Sequence, residues 1–312
     1  MKILITGING FVGRNIVNAW KNNYIIFGLD LHNKRIDGVH EIYSWENLSD
    51  VPEVDTIIHL AAIAHDTEEK TNYKEYFDVN TGLTKIIFDY FLASKAKNFI
   101  FFSSVKAAAD SVGDEVLTED IVPKPVGPYA ESKKEAEDYI LSKLSEAEEK
   151  NKNVYILRPC LIHGPGNKGN LNLLYKVASK KTPWPLGAYD NRRSFCSIEN
   201  MIFVIEEIIK RNNILSGIYN VCDDETLSTN ELIQLICKSV GKKEIIWNLP
   251  KAIINNAALV SGALHLPFDK VKLRKLTENY VVSNKKIKKT LDISKMPVTA
   301  TDGMKKTIDS FK

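Results

Sequence analysis

The chain has 312 residues, 44% of them hydrophobic and 26% charged, the balance of a globular protein with a sizeable core. Its 42 basic and 39 acidic residues leave a net charge of +3, too even to argue for a nucleic-acid partner. Cys160, Cys196, Cys222 and Cys237 lie far apart without CxxC spacing and the six histidines are scattered, so free thiols in a reducing compartment and no metal cluster are expected.

From the start of the chain, β-rich apolar runs alternate with helical patterns. Ile3–Thr6, Tyr24–Leu29, Thr56–Leu60, Phe99–Phe102 and Val154–Leu157 read as strands buried on both faces. Phe11–Lys21, Tyr73–Ala93 and Tyr129–Glu149 read as helices between them. Such alternation predicts an α/β fold with a doubly wound parallel sheet. Because Met1–Ile5 already reads as buried strand, no leader is expected before it.

After Pro159 the pattern loosens, with turn signals at Gly164-Pro165-Gly166 and Pro183-Trp184-Pro185. A helix is expected over Ile198–Lys210, a strand over Gly217–Val221, and helices near Asn230–Ser239 and Pro250–Leu264. The most apolar stretch, Ile253–Leu266, is short and carries Asn255, Asn256 and His265, unlike a membrane span. Lys285, Lys286, Lys288 and Lys289 read as a solvated helix face. The division expected is a dinucleotide-binding unit over 1–160, completed by part of 195–222, and a smaller, mainly substrate-binding region over 161–312. The protein is expected in the cytoplasm, with no membrane partner.

Thr6-Gly7-Ile8-Asn9-Gly10-Phe11-Val12-Gly13 joins the first strand to the first helix, the context in which a glycine pattern signifies a dinucleotide loop. Gly7 suits the tight turn, Gly10 the approach of a pyrophosphate and Gly13 close helix–strand packing. The helix start offers unpaired N–H groups and a favourable dipole to phosphates. Asp30, closing the second strand about 20 residues on, can accept bonds from an adenine-ribose diol, which favours NAD. Lys34 and Arg35 follow and could meet a 2′-phosphate instead, so NADP stays open.

Tyr129 and Lys133 stand at i and i+4 on one helix face, and Ser103-Ser104 close the Phe99–Phe102 strand. Ligands bind at the carboxyl edge of such sheets, so a serine hydroxyl, a phenol and an ammonium can converge on one carbonyl. The Lys133 charge is expected to favour tyrosinate and lower the Tyr129 pKa, letting Tyr129 move a proton while Ser104 holds the substrate oxygen.

The glycine loop, Asp30, His59-Leu60-Ala61-Ala62, Asn80, Ser103-Ser104, Tyr129/Lys133 and Arg158-Pro159 appear in the order of the extended short-chain dehydrogenases/reductases. Over nearly its whole length the chain resembles UDP-sugar 4-epimerases and their 4-ketoreductase relatives. The resemblance implies a Rossmann fold in which Gly7, Asn9, Gly10, Phe11, Val12, Gly13, Asp30, Leu60, Ala61, Ala62, Asn80, Tyr129 and Lys133 serve the cofactor. It implies Ser104, Tyr129 and Lys133 as catalytic residues, with Ser103 as the alternative serine register. Asn80 would brace the sheet near the site, and paired helices would form a homodimer.

On the substrate side, Asn170 reads as an N-cap that, by resemblance, also faces the nucleotide diphosphate. Arg193 resembles the family's pyrophosphate clamp, with Arg192 as the alternate. Lys106 stands where typical 4-epimerases carry Val-Tyr-Gly, and is a substrate contact or a solvated lysine. His163 replaces the tyrosine of the family's Tyr-Gly-Pro turn and reads as a packed turn residue. The threonine-acid-glutamate triplet of the 4,6-dehydratases is missing at Ser103–Val105, which argues against dehydration. The expected function is NAD-dependent 4-epimerisation of a nucleotide-linked hexose, with an NAD(P)H-dependent 4-ketoreductase as the alternative and an inactive nucleotide-binding scaffold as the third.

Overall fold

The computed structural model describes residues 1–32, 34–64, 72–167, 169–180, 183–211, 213–263 and 269–312, without the side chains of 170, 262 and 263. In chain order the strands are β1 (Lys2–Thr6), β2 (Ile25–Leu29), β3 (Glu41–Tyr43), β4 (Thr56–His59), β5 (Asn98–Phe102), β6 (Val116–Leu117), β7 (Asn153–Pro159), β8 (Leu161–His163), β9 (Arg193–Ser197), β10 (Gly217–Val221), β11 (Thr226–Leu227) and β12 (Val281–Val282). The α-helices are α1 (Phe11–Trp20), α2 (Tyr73–Tyr76), α3 (Leu83–Ala93), α4 (Pro128–Ser142), α5 (Leu144–Glu149), α6 (Asn170–Ala178), α7 (Ile198–Lys210), α8 (Thr229–Ser239), α9 (Lys251–Ala263), α10 (Lys270–Thr277), α11 (Lys285–Thr290) and α12 (Ala300–Asp309).

Among the described residues the main sheet has seven strands in the order β10–β7–β5–β4–β1–β2–β3, every neighbouring pair parallel. Its unbroken apolar runs are explained by two covered faces. Ile3, Ile5, Ile58, Ile100, Tyr155 and Leu157 pack on one side with Ile16 and Trp20 of α1 and Val204 and Ile208 of α7. Their chain neighbours Leu4, Ile57, Phe99, Phe101, Val154 and Ile156 pack on the other with Phe88 and Phe91 of α3 and Ile140 of α4. The period-2 alternation of strand side chains thus divides one apolar run between two cores. This is the doubly wound Rossmann arrangement the alternation predicts, with the strand order reversing between β1 and β4.

A third core gathers Leu171, Trp184, Leu186, Phe195, Leu232, Ile236, Ile254, Leu273 and Met304 in the C-terminal half. There β11, β9 and β8 form a small sheet, and β12 pairs with β6.

Three expectations are corrected. Tyr73–Ala93 is not one uniform helix: a π turn over Phe77–Gly82 separates α2 from α3. Such wide turns accommodate an extra residue, and here it carries Asn80. Tyr129–Glu149 breaks at Lys143, whose φ of −111° and ψ of 11° leave the helical region. The N-cap of α6 is Gly169, so Asn170 is the first helical residue, and its side chain lies outside the described residues. Leu264, expected at the end of α9, also lies outside them. β9, which no expected strand covered, forms because Leu227 and Thr226 of β11 pair with Arg193 and Ser194.

Candidate active site

The loop after β1 is shaped around its glycines. Gly7 has φ +66°, and a Cβ there would stand 2.8 Å from the backbone N and Cα of Ala61, so both the turn and the approach of the β4 loop require glycine. At Gly13 a Cβ would meet the Ile8 carbonyl oxygen at 2.6 Å, which fixes how closely α1 returns to the loop. α1 has Gly10 as its N-cap and no side chain capping it, leaving its first N–H groups aimed at the loop. Asp30 accepts from Asn9 N at 2.9 Å and from Leu31 N at 2.8 Å, placing its carboxylate against the same loop. Among the described residues Asn9 Oδ1 is buried without a partner. Lys34 and Arg35 are both exposed. A cradle that admits no Cβ, open helix N–H groups and a carboxylate set against the same loop fit a dinucleotide.

Beneath Leu60–Ala61 runs a buried hydrogen-bond chain. Thr84 Oγ1 donates to Asn80 O at 2.6 Å, so it accepts from His59 Nε2 at 2.9 Å. That assigns the proton to Nε2, and Nδ1 accepts from Thr6 Oγ1 at 2.6 Å. Thr6 Oγ1 in turn accepts from Leu60 N at 3.2 Å and Ala61 N at 3.1 Å. Burial, aided by the charge on Lys133, holds His59 well below the usual imidazole range, so it is neutral. Asn80 is fully buried and spends its amide on Ile63 N at 2.8 Å, Ile63 O at 3.2 Å and Ser132 Oγ at 3.0 Å. The amide thus braces the β4 loop against α4.

α4 starts after Gly127, with Pro128 in its first turn, and brings Tyr129 and Lys133 to the carboxyl edge of β5. The two serines separate in role. Ser103 Oγ donates to Glu137 Oε1 at 2.5 Å, facing into α4. Ser104 caps the short turn Val105–Ala107 by accepting from Lys106 N at 3.2 Å, and its hydroxyl stands beside the Tyr129 phenol, whose ionisation it favours. Lys133 Nζ donates to Phe102 O at 2.7 Å and lies 4.9 Å over the Phe101 ring.

The electrostatics depart from the sequence expectation. Burial raises the Tyr129 pKa above its ordinary value, opposed by the Ser104 hydrogen bond and reinforced by Tyr76. The expected lowering by Lys133 is overturned because the Lys133 ammonium is itself desolvated, its pKa pulled down to about 7, and is tied to Phe102 O. Glu137, one helical turn further, works the other way and favours the charged lysine.

Arg193 is half-buried at the start of β9, Nη1 donating to Lys275 O, beside Glu278, Tyr280 and Cys160. Arg192 is exposed. Lys106 Nζ binds Asp110 O at 2.6 Å and Oδ1 at 3.2 Å and stands 4.5 Å over the Tyr280 ring. Tyr280 itself donates to Ala109 O at 2.6 Å, pinning the chain just before β12 to the loop after Ser104. His163 is buried, Nδ1 2.9 Å from Thr307 Oγ1 and Nε2 3.5 Å from Asp223 Oδ2, a packed turn residue. All four cysteines are buried free thiols, and burial raises Cys160 and Cys196 out of the reactive range.

Sequence reasoning missed Glu137, Ser132 and Thr84. The spacing of Glu137, one turn beyond Lys133 on the same face, was the available signal. Nothing in the sequence marked Thr84 or Ser132, which matter through contacts across the fold.

Residues 3–222 match the NAD dependent epimerase/dehydratase family. The chain is 31% identical over 322 aligned residues to the UDP-glucose 4-epimerase of Vibrio cholerae, covering 99% of this chain and 95% of that protein. It is 26% identical to the N-acetyl-alpha-D-glucosaminyl-diphospho-ditrans,octacis-undecaprenol 4-epimerase of Escherichia coli O157:H7, covering 98% of this chain and 94% of that one. Among solved structures, MoeE5 in complex with UDP-glucuronic acid and NAD superimposes with a TM-score of 0.77 at 18% identity, over 99% of this chain and 98% of that one. With its cradle for a dinucleotide and its serine–tyrosine pair at the sheet edge, the chain belongs to the NAD-dependent epimerase/dehydratase family.

Proposed function

We propose that the chain is an NAD-dependent 4-epimerase acting on a UDP-linked hexose. The observation that carries this reading is the Ser104–Tyr129 hydroxyl pair at the carboxyl end of β5, next to Lys133 and across the β4 loop from the glycine cradle. Bound NAD supplies an acceptor, and later a donor, for the hydride at C4.

The chain's own residues do the rest. Ser104 holds the C4 oxygen, and Tyr129 takes its proton as the carbonyl forms and returns it when the alcohol is restored. Because burial pulls the Lys133 pKa down to about 7, its neutral amine takes up the phenol's own proton, which frees Tyr129 to act as the base. Arg193 grips the diphosphate, which leaves the hexose free to present its other face. Lys106, fixed by Asp110 and Tyr280, forms the sugar-side wall of the pocket. The dinucleotide unit comprises 1–160 with part of 195–222, and 161–312 supplies most of the substrate contacts. The outer faces of α3 and α4, where Ile86 is 51% exposed and Leu141 36%, pair two copies into a homodimer; a sedimentation mass near 35.2 kDa at micromolar concentration would refute that pairing.

The test is stoichiometric. Incubation with UDP-galactose or UDP-N-acetylgalactosamine, without added cofactor, yields the C4 epimer. Steady consumption of added NADPH by a 4-keto sugar, with no epimer formed, overturns the reading in favour of a reductase.

A further inference from the structure

α9 reverses the usual burial of a surface helix. It rests on a narrow stripe, Ile254 and Ala258, while Ile253 is 56% exposed, Leu259 48% and Val260 60%. At 100° per residue the direction opposite the stripe is taken by Asn256, with Val260 and Ile253 on one side of it and Ala252 and Leu259 on the other. Asn255 and Asn256 are the polar residues of that exposed side, and no charged residue occurs in the sequence between Lys251 and Asp269. Solvated helix faces carry charge; an uncharged, apolar outer face marks a surface meant to be covered.

The surroundings indicate by what. α9 packs on α10, which exposes Val271 at 55% together with Lys270, Lys272, Arg274 and Lys275. Among the described residues Lys270 and Lys275 take part in no ion pair, whereas Lys251 lies over the Tyr189 ring and Arg274 is committed to Asp110 and Glu278. An apolar helical face bordered by unpaired lysines is complementary to a layer that is apolar inside and anionic at its rim. We propose that α9 and α10 form a membrane-interface surface, the apolar face of α9 lying among the acyl chains and the lysines meeting anionic headgroups. No described helix is long and apolar enough to cross a membrane, so the contact lies in the interface plane. The surface is also coupled to the substrate side, because Arg193 donates to the carbonyl of Lys275 at the end of α10. Docking therefore brings the arginine end of the site to the membrane.

The test is co-sedimentation of the full chain with vesicles of equal parts phosphatidylglycerol and phosphatidylcholine, against vesicles of phosphatidylcholine alone. The wild type sediments with the anionic vesicles and is released by high salt. Ile253→Ser/Val260→Ser lowers the partition coefficient at least ~10-fold, and Lys270→Gln lowers it about 5-fold. These positions are exposed and outside the catalytic machinery, so epimerase activity on a nucleotide sugar in free solution is retained and reports that each variant is folded. Wild-type protein that stays in the supernatant with both vesicle types overturns the proposal. So does a serine double variant that binds vesicles like the wild type, or one whose only change is a lower sedimentation mass without lipid, which would make the face a contact between copies.

Discussion

Glu137 grips Arg158 with both carboxylate oxygens, Nε to Oε1 at 2.8 Å and Nη2 to Oε2 at 2.5 Å, and both side chains are buried at the heart of the sheet. The pair joins α4, the helix of Tyr129 and Lys133, to β7, and Ser103 adds a third bond. Glu137→Gln strands the Arg158 charge in a fully buried site, so a loss of about 3–5 kcal/mol is expected in urea unfolding. The double replacement Glu137→Leu/Arg158→Met should lose less than the single one, because no charge is left unpaired. A double variant as unstable as the single would show that the ion pair is not the source of the effect.

Lys133 carries a pH signature. The unfolded chain holds its proton up to about 10.5 and the folded chain only to about 7. Between those values the unfolded state binds more protons, so the Lys133 contribution to stability rises as pH climbs through that window. Below about 7 the buried ammonium is a full burden. Lys133→Met removes it, and the variant should be more stable than the parent below neutrality by at most ~5 kcal/mol, the difference closing toward pH ~10.5. Parallel thermal-unfolding curves with no pH dependence in their separation would contradict this.

Chemistry and grip divide between Tyr129 and Arg193. Tyr129→Phe should lower kcat by ~10²–10⁴-fold with little change in KM, since the proton transfer occurs only on the way to the transition state. Arg193→Ala should raise KM by ~10- to 150-fold with kcat largely kept, because the diphosphate is held alike before and during reaction. If Arg192→Ala raises KM and Arg193→Ala does not, the clamp is misassigned.

Gly7→Ala should cost ~1–3 kcal/mol of stability and abolish tight NAD binding, because the residue combines left-handed backbone with a Cβ forced onto the Ala61 backbone. Gly113 is the control: its φ is +59°, but nothing lies within 4 Å of an added Cβ. Gly113→Ala should therefore share the backbone cost and leave NAD titration by fluorescence unchanged.

The legible part of this molecule was the part governed by local pattern. Ile3–Thr6 and Thr56–Leu60 announced buried parallel strands, and Gly7 to Gly13 announced the cradle, because strand period and turn sterics act between chain neighbours. Ser104 separates from Ser103 only once the fold turns one toward Tyr129 and the other toward Glu137. The sign of the Tyr129 shift was misread for the same reason. The pairing with Lys133 is visible at i and i+4, whereas the burial that outweighs it is a property of the assembled interior. β3 and β9 escaped notice because three residues, one exposed and two half-buried, or a strand opening on an arginine, show no apolar period.

The π turn over Phe77–Gly82 acts as a phase shifter between two stretches of helix. An uninterrupted α-helix advances about 100° per residue, so the side chains before and after the wide turn stand in directions that no regular helix of the same length offers. Removing one residue there would restore the regular ladder but rotate either the Asn72–Glu75 cap or the Thr84 contact out of line. Asn80, Thr84 and His59 are thus tuned to a chain length rather than to an amino-acid type. This stretch should tolerate many substitutions on its outer side and no single deletion.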